Sequence, residues 1–118
     1  MESISRSKTL IQQVKVSELS TIIASRSHTL IDVRDPKSIL DQGAFPGAVQ
    51  ISFESINSGN EEVFTKIEQY SEVGPLLFCC TGGVMSYMAA MKVKDQGVGP
   101  VFNLEGGHSA WIKFGNEE

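Results

Sequence analysis

Leu76-Leu77-Phe78-Cys79-Cys80-Thr81-Gly82-Gly83-Val84-Met85-Ser86 passes directly into Tyr87-Met88-Ala89-Ala90-Met91. The opening apolar run, bounded by Gly74-Pro75, reads as a buried strand. It ends in a thiol, turns through two glycines and enters a segment of good helix formers, with Ser86 as the expected N-cap. Strand, tight loop and helix in that order put a side chain at a ring of backbone N–H groups and at the positive end of a helix dipole. Such surroundings favour the thiolate, the reactive form of a cysteine. Cys80 therefore reads as a nucleophile, and Thr81, Gly82, Gly83, Val84, Met85 and Ser86 as a loop that holds an anion. A thiol that only packs would also suit a strand end. The glycine pair weighs against that, because backbone wrapping closely around an anion needs residues without Cβ.

A chain of 118 residues can sustain one core without metals or disulfides. With 41% hydrophobic and 20% charged residues its composition is that of a globular protein. A net charge of −4 argues against a nucleic-acid surface. No apolar run approaches the length that spans a bilayer, and Met1–Lys8 lacks the apolar stretch of a secretory signal. The expectation is a cytoplasmic protein with neither membrane nor nucleic acid as partner. The two cysteines are neighbours, and consecutive residues of a strand point to opposite faces, so Cys79 and Cys80 should diverge. Two thiols are too few for a zinc site, and neither His28 nor His108 sits in a ligand pattern. No metal and no cofactor are expected.

Along the chain, residues 1–10 read as a flexible polar segment and residues 11–118 as a single domain. Val14-Lys15-Val16 is a short strand, and Ser17 caps a helix with Leu19, Ile22 and Ile23 on one face. Thr29–Val33 is the second strand, and Lys37–Gln42 a short helix with Ile39 and Leu40 inward. Ala48–Ser52 is the third strand, and a helix runs from about Glu61 to Gln69 with acidic residues at its start. After the central strand come Val101–Leu104 and a last helix holding Trp111 as a core residue. Strands alternating with helices imply an α/β fold whose mainly parallel sheet carries its site at the carboxyl ends of the strands, where Cys80 lies.

Three motifs together resemble the rhodanese-like domain family over roughly residues 14–115. Asp32-Val33-Arg34 with Gly43-Ala44-Phe45-Pro46-Gly47-Ala48 looks like the family's Asp-Val-Arg strand end and Gly-His-Ile-Pro-Gly-Ala turn. Cys80–Ser86 is similar to its active-site loop, and Leu104-Glu105-Gly106-Gly107-His108-Ser109-Ala110-Trp111 to its Gly-Gly-x-x-Ala-Trp signature. The resemblance implies a three-layer domain with a central, mainly parallel five-stranded sheet flanked by helices. It also implies a sulfurtransferase, in which the loop cysteine takes a sulfane sulfur as a persulfide and passes it to a thiophilic acceptor. Aligned on the family, the loop counts from Cys80, with Ala89-Ala90 at its alanine positions, and Cys79 becomes a core residue of the strand.

Two departures bear on function. The family often carries a cation in the loop, whereas residues 81–85 here carry none. Weak thiosulfate use is therefore expected, with a less charged small donor or a persulfidated protein as donor and a thiol as acceptor. Val84 and Met85 form an apolar lip for a partner protein, or else pack the loop down. Ala44 replaces the family's histidine, at a position read as structural. Asp32 is a buried acceptor that fixes neighbouring turns, and Arg34 is more a salt-bridge or loop-backbone partner than a substrate contact. The alternative to an enzyme is a non-enzymatic persulfide carrier or protein-binding rhodanese module. Phosphatases and arsenate reductases of related fold place an arginine six residues after the cysteine, which clamps the oxyanion. Here that residue is Met85 or Ser86.

Overall fold

The computed structural model describes residues 10–117. Apart from Leu10, the segment expected to be flexible lies outside the described residues. The chain runs β1 (Gln12–Val14), α1 (Val16–Ser25), β2 (Thr29–Asp32), α2 (Pro36–Gln42), β3 (Val49–Gln50) and α3 (Phe53–Asn57). It continues through α4 (Glu61–Val73), β4 (Leu76–Cys79), α5 (Val84–Asp95), β5 (Val101–Leu104) and α6 (Gly107–Glu117).

The five strands form one sheet in the order β1-β5-β4-β2-β3, and every pairing is parallel. Strand β4 lies at the centre, paired on both sides, and all four of its residues are buried. That is why it reads as a continuous apolar run rather than an alternation. Leu76, Phe78 and Cys80 join Ile56, Ile67, Ala89, Ala90 and Val93 in one core layer, beneath α3, α4 and α5. Leu77 and Cys79 join Val14, Leu19, Ile22 and Leu104 in the other, beneath α1 and α6. The adjacent thiols thus face opposite layers, as the pleat dictates. Fully burying a side chain such as Phe78 contributes about 1.5–3 kcal/mol.

Several local boundaries differ from those read along the chain. Helix α1 begins at Val16, because the Glu18 carboxylate reaches back to the Lys15 N–H at 3.2 Å, so Ser17 lies inside the helix and does not cap it. The first strand ends at Val14, where its pairing with β5 ends. In α2, Pro36 takes the first helical position behind an Asp35 cap that accepts the Ser38 N–H at 2.7 Å. Leu40, expected inward, is 84% exposed; Ile39 points into the core, and consecutive helical residues lie about 100° apart. Helix α3 was not expected, being only five residues long and too short to show a period. Helix α4 continues to Val73, past the expected end at Gln69. Trp111 is half-buried rather than core, stacked on Phe45 with ring centroids 5.2 Å apart. Among the described residues no helix is long and apolar enough to cross a membrane.

Candidate active site

The loop after β4 is shaped from two sides. From β5 and α6, the first N–H groups of a helix arrive at loop carbonyls: His108 N–H donates to the Cys80 carbonyl at 2.8 Å and Ser109 N–H to that of Thr81 at 3.0 Å. A trans peptide sets its N–H opposite its carbonyl, so the N–H groups of Thr81 and Gly82 point away from α6. This close approach needs Gly107, with φ of +62°, since a Cβ there would collide with both carbonyl oxygens. Gly83, with φ of +93°, meets the same segment: a Cβ would lie 2.9 Å from the Gly106 nitrogen. Gly83 is therefore packed against Gly106, and Gly107 against the carbonyls of Cys80 and Thr81.

The sulfur occupies the place of a helix cap. Helix α5 opens at Val84 behind Gly83, which has no side chain to cap it, and Ser86 is its third residue rather than its N-cap. The Ser86 N–H, which a capping oxygen would normally take, donates instead to Cys80 Sγ at 3.3 Å, and the Gly83 N–H joins it at 3.1 Å. Two main-chain donors at a helix N-terminus favour negative charge on that sulfur. The expected ring of donors over Thr81–Ser86 thus narrows to these two hydrogen bonds to the sulfur. The Ser86 hydroxyl turns away and donates to Asn103 Oδ1.

Cys80 is 3% exposed, yet it lines a cleft of about 230 Å³ together with Arg34, Asp35, Ser38, Thr81, Gly82, Val84 and Met85. The rim is apolar on the α5 side, where Val84 is 70% and Met85 39% exposed. The cleft contains one cation, and it is largely engaged. Arg34 forks onto Asp32, with Nη2 at 2.6 Å from Oδ2 and Nε at 3.0 Å from Oδ1. It also donates to the Gly43 carbonyl and to Gln42 Oε1, and its guanidinium lies over the Phe45 ring. Asp32 in turn accepts the Arg34 main-chain N–H. This buried pair joins the end of β2 to the turn after α2. At the mouth, hydrogen bonding by Ser38 holds the exposed Asp35 carboxyl below its ordinary range, so it is ionised at neutral pH.

Cys79 has none of these features. Its sulfur lies 3.6 Å from the Ile31 carbonyl on the other face of the sheet. Burial pushes its thiol well up, and the Asp32 carboxylate adds to the effect. Residue reading did not single out Asn103, Gln42, Asp35 or Ser38 as part of the site. Asn103 left a signal, an amide inside an otherwise apolar strand, where asparagine is disfavoured. Gln42, whose Oε1 accepts the Thr81 hydroxyl at 2.9 Å, left none. Among the described residues, no group of three or more His, Cys, Asp or Glu side chains is arranged to hold a metal ion.

The family model described as Rhodanese-like domain matches residues 15–114. The chain belongs to the rhodanese-like domain family. It is 31% identical over 100 residues to the thiosulfate sulfurtransferase GlpE of Shewanella oneidensis, covering 85% of this chain and 91% of that protein. It is 33% identical over 102 residues to the adenylyltransferase and sulfurtransferase UBA4 of Meyerozyma guilliermondii. That match takes in 85% of this chain but only 23% of the relative, a much larger protein. A solved structure from Rhodopseudomonas palustris, described as a protein of unknown function and possible tyrosine phosphatase, is similar with a TM-score of 0.78 at 27% identity. It covers 89% of this chain and 82% of that one. The rhodanese-like fold accounts for the meeting of the three motifs: parallel strands deliver Arg34 and Cys80 to one sheet end, and α6 starts there too.

Proposed function

We propose that this rhodanese-like protein is a sulfurtransferase in which Cys80 carries a sulfane sulfur as a persulfide. The observation that supports this most is the pair of N–H groups, Gly83 and Ser86, on a cysteine sulfur that lines an open cleft. In the first step the Cys80 thiolate attacks the outer sulfur of a donor persulfide R–S–SH. The S–S bond of the donor breaks, R–S⁻ leaves, and Cys80–S–SH forms. In the second step an acceptor thiolate attacks that outer sulfur, becomes a persulfide itself and releases Cys80 as thiolate. Nothing is oxidised or reduced overall, and the covalent intermediate divides one transfer into two. The partners in this reading are a small persulfide or persulfidated protein and a thiol acceptor, with neither nucleic acid nor membrane. Two free cysteines suit the reducing cytoplasm.

The charges of the cleft favour such donors over thiosulfate, which is a dianion. The Arg34 charge is matched by Asp32, the loop carries none, and Asp35 adds a negative charge at the mouth. The exposed Val84 and Met85 favour the second reading, a carrier that exchanges sulfur with a docked protein and turns over small donors poorly. A phosphatase has less support, because Ser86 stands where the oxyanion-clamping arginine would be and is buried against Asn103.

Single-turnover loading and steady turnover, compared for thiosulfate and glutathione persulfide with cyanide as acceptor, separate these readings. Addition of one sulfur atom to Cys80 by mass, lost in Cys80→Ser, is the expected result. Steady turnover supports the enzyme, and rapid loading with negligible turnover supports the carrier. No sulfur on Cys80 from any donor would end both.

A further inference from the structure

Asn103 is fully buried in β5. A buried amide costs stability unless its donors and acceptor find partners. Here all do. Asn103 Nδ2 donates to the Gly83 carbonyl at 3.0 Å and to Gln13 Oε1 at 2.8 Å, while Oδ1 accepts the Ser86 hydroxyl at 2.6 Å. A main-chain carbonyl only accepts, so the NH₂ end must face Gly83, and the Ser86 hydroxyl must then be the donor to Oδ1. The two residues gripped in this way are the same two whose N–H groups reach Cys80 Sγ.

We propose that Asn103 is a positioning residue for sulfur transfer, holding the Gly83 and Ser86 N–H groups on the Cys80 sulfur before any donor arrives. This rests on Cys80 being the sulfur-carrying residue. A loop that contains Gly82 and Gly83 has the widest backbone freedom a sequence can supply, so its N–H groups need an external hold to stay aimed at one atom. Asn103 applies that hold from β5, one strand away from Cys80, at a place the sheet fixes rigidly. Ser86 is held twice, by its hydroxyl to Asn103 and by its N–H to the sulfur, so its side chain cannot swing round to take over the thiolate. Gln13, on the edge strand β1, accepts the second amide hydrogen and sets the rotation of the amide. Donors fixed in advance need no reorganisation when negative charge develops on sulfur.

The test is the rate at which iodoacetamide alkylates Cys80 as a function of pH, with peptide mass spectrometry separating Cys80 from Cys79. At neutral and mildly acidic pH, Asn103→Ala and Ser86→Ala should react about tenfold more slowly than the unsubstituted protein, the effect of losing one hydrogen bond to a charged group. In alkaline solution, where hydrogen bonds no longer decide how much of the reactive thiolate is present, the rates should converge. Cys79 should stay unlabelled in each folded variant. Ser86→Ala removes a single oxygen atom and reports on the grip even if Asn103→Ala fails to fold. Rates equal to the unsubstituted protein at every pH, or lowered equally in acid and alkali, would overturn the proposal. Sulfur loading of the unsubstituted protein is measured separately. Its absence would count against sulfur transfer, while the pH profile still shows whether Asn103 shapes the environment of the sulfur.

Discussion

Gly107 lies so close to Cys80 that a single added carbon would strike the Cys80 carbonyl oxygen. The residue that opens α6 is thereby part of the loop that presents the sulfur, although the two are far apart in sequence. Gly107→Ala forces either α6 or the loop to retreat and places alanine at φ of +62°. A loss of about 2–4 kcal/mol is expected, in the range of backbone strain combined with a core clash. Urea denaturation measures it, and sulfur loading should fall more than stability alone explains. A change under about 0.5 kcal/mol would mean that the two segments part easily.

Cys79 and Cys80 should behave as different chemical species. The Cys79 thiol is buried among apolar side chains and pushed up, so it stays protonated and inert near neutral pH. Cys79→Ser should retain sulfur loading at Cys80 and lose some stability, read from the thermal midpoint. Loss of loading in this variant, with the fold intact, would assign Cys79 a role that its position on the opposite face does not predict.

Met85→Arg adds charge where the cleft lacks it. A cation about 5 Å from a bound anion is worth roughly 1–3 kcal/mol at effective dielectric values of 20–80. Thiosulfate kcat/KM should therefore rise by about fivefold or more, and the gain should shrink as salt is added. A neutral persulfide donor should respond little. No gain with thiosulfate would show that charge does not limit its use.

His108 makes stability depend on pH. Packing against Phe45 and Trp111 buries its ring and lowers its pKa below 6.5, with the Arg34 charge adding to the effect. Below pH 6.5 the unfolded chain takes up the proton more readily than the native one, so stability present above that pH is lost as the solution is acidified towards the native value. The urea midpoint should fall between about pH 7.5 and pH 5.5, and His108→Gln should flatten that fall. Equal falls in both proteins would assign the pH dependence to other groups.

Much of the site was legible along the chain because its signals are short-range. An apolar run, a thiol and two glycines read as a strand ending in a tight loop, while the choice of Cys80 over Cys79 rests on the family resemblance. What misled was local chemistry with more than one outcome. Ser86 has the right side chain for an N-cap, but Asn103 takes its hydroxyl and the Cys80 sulfur takes its N–H. Leu40 has the right hydropathy for the core, but Ile39 takes the inward position of α2 and the next residue lies about 100° round the helix.

The alternation of strands and helices along the chain implies an α/β architecture with a mainly parallel sheet, and residues 76–86 imply opposite fates for the adjacent thiols and a loop with no cation. Which atoms hold the sulfur was decided only in three dimensions. Ser86 and Gly83 meet Asn103 across 17 and 20 residues, and Asn103 meets Gln13 across 90. Periodicity and turn chemistry act between near neighbours, whereas those hydrogen bonds exist only because the sheet order β1-β5-β4 brings three distant segments to one end.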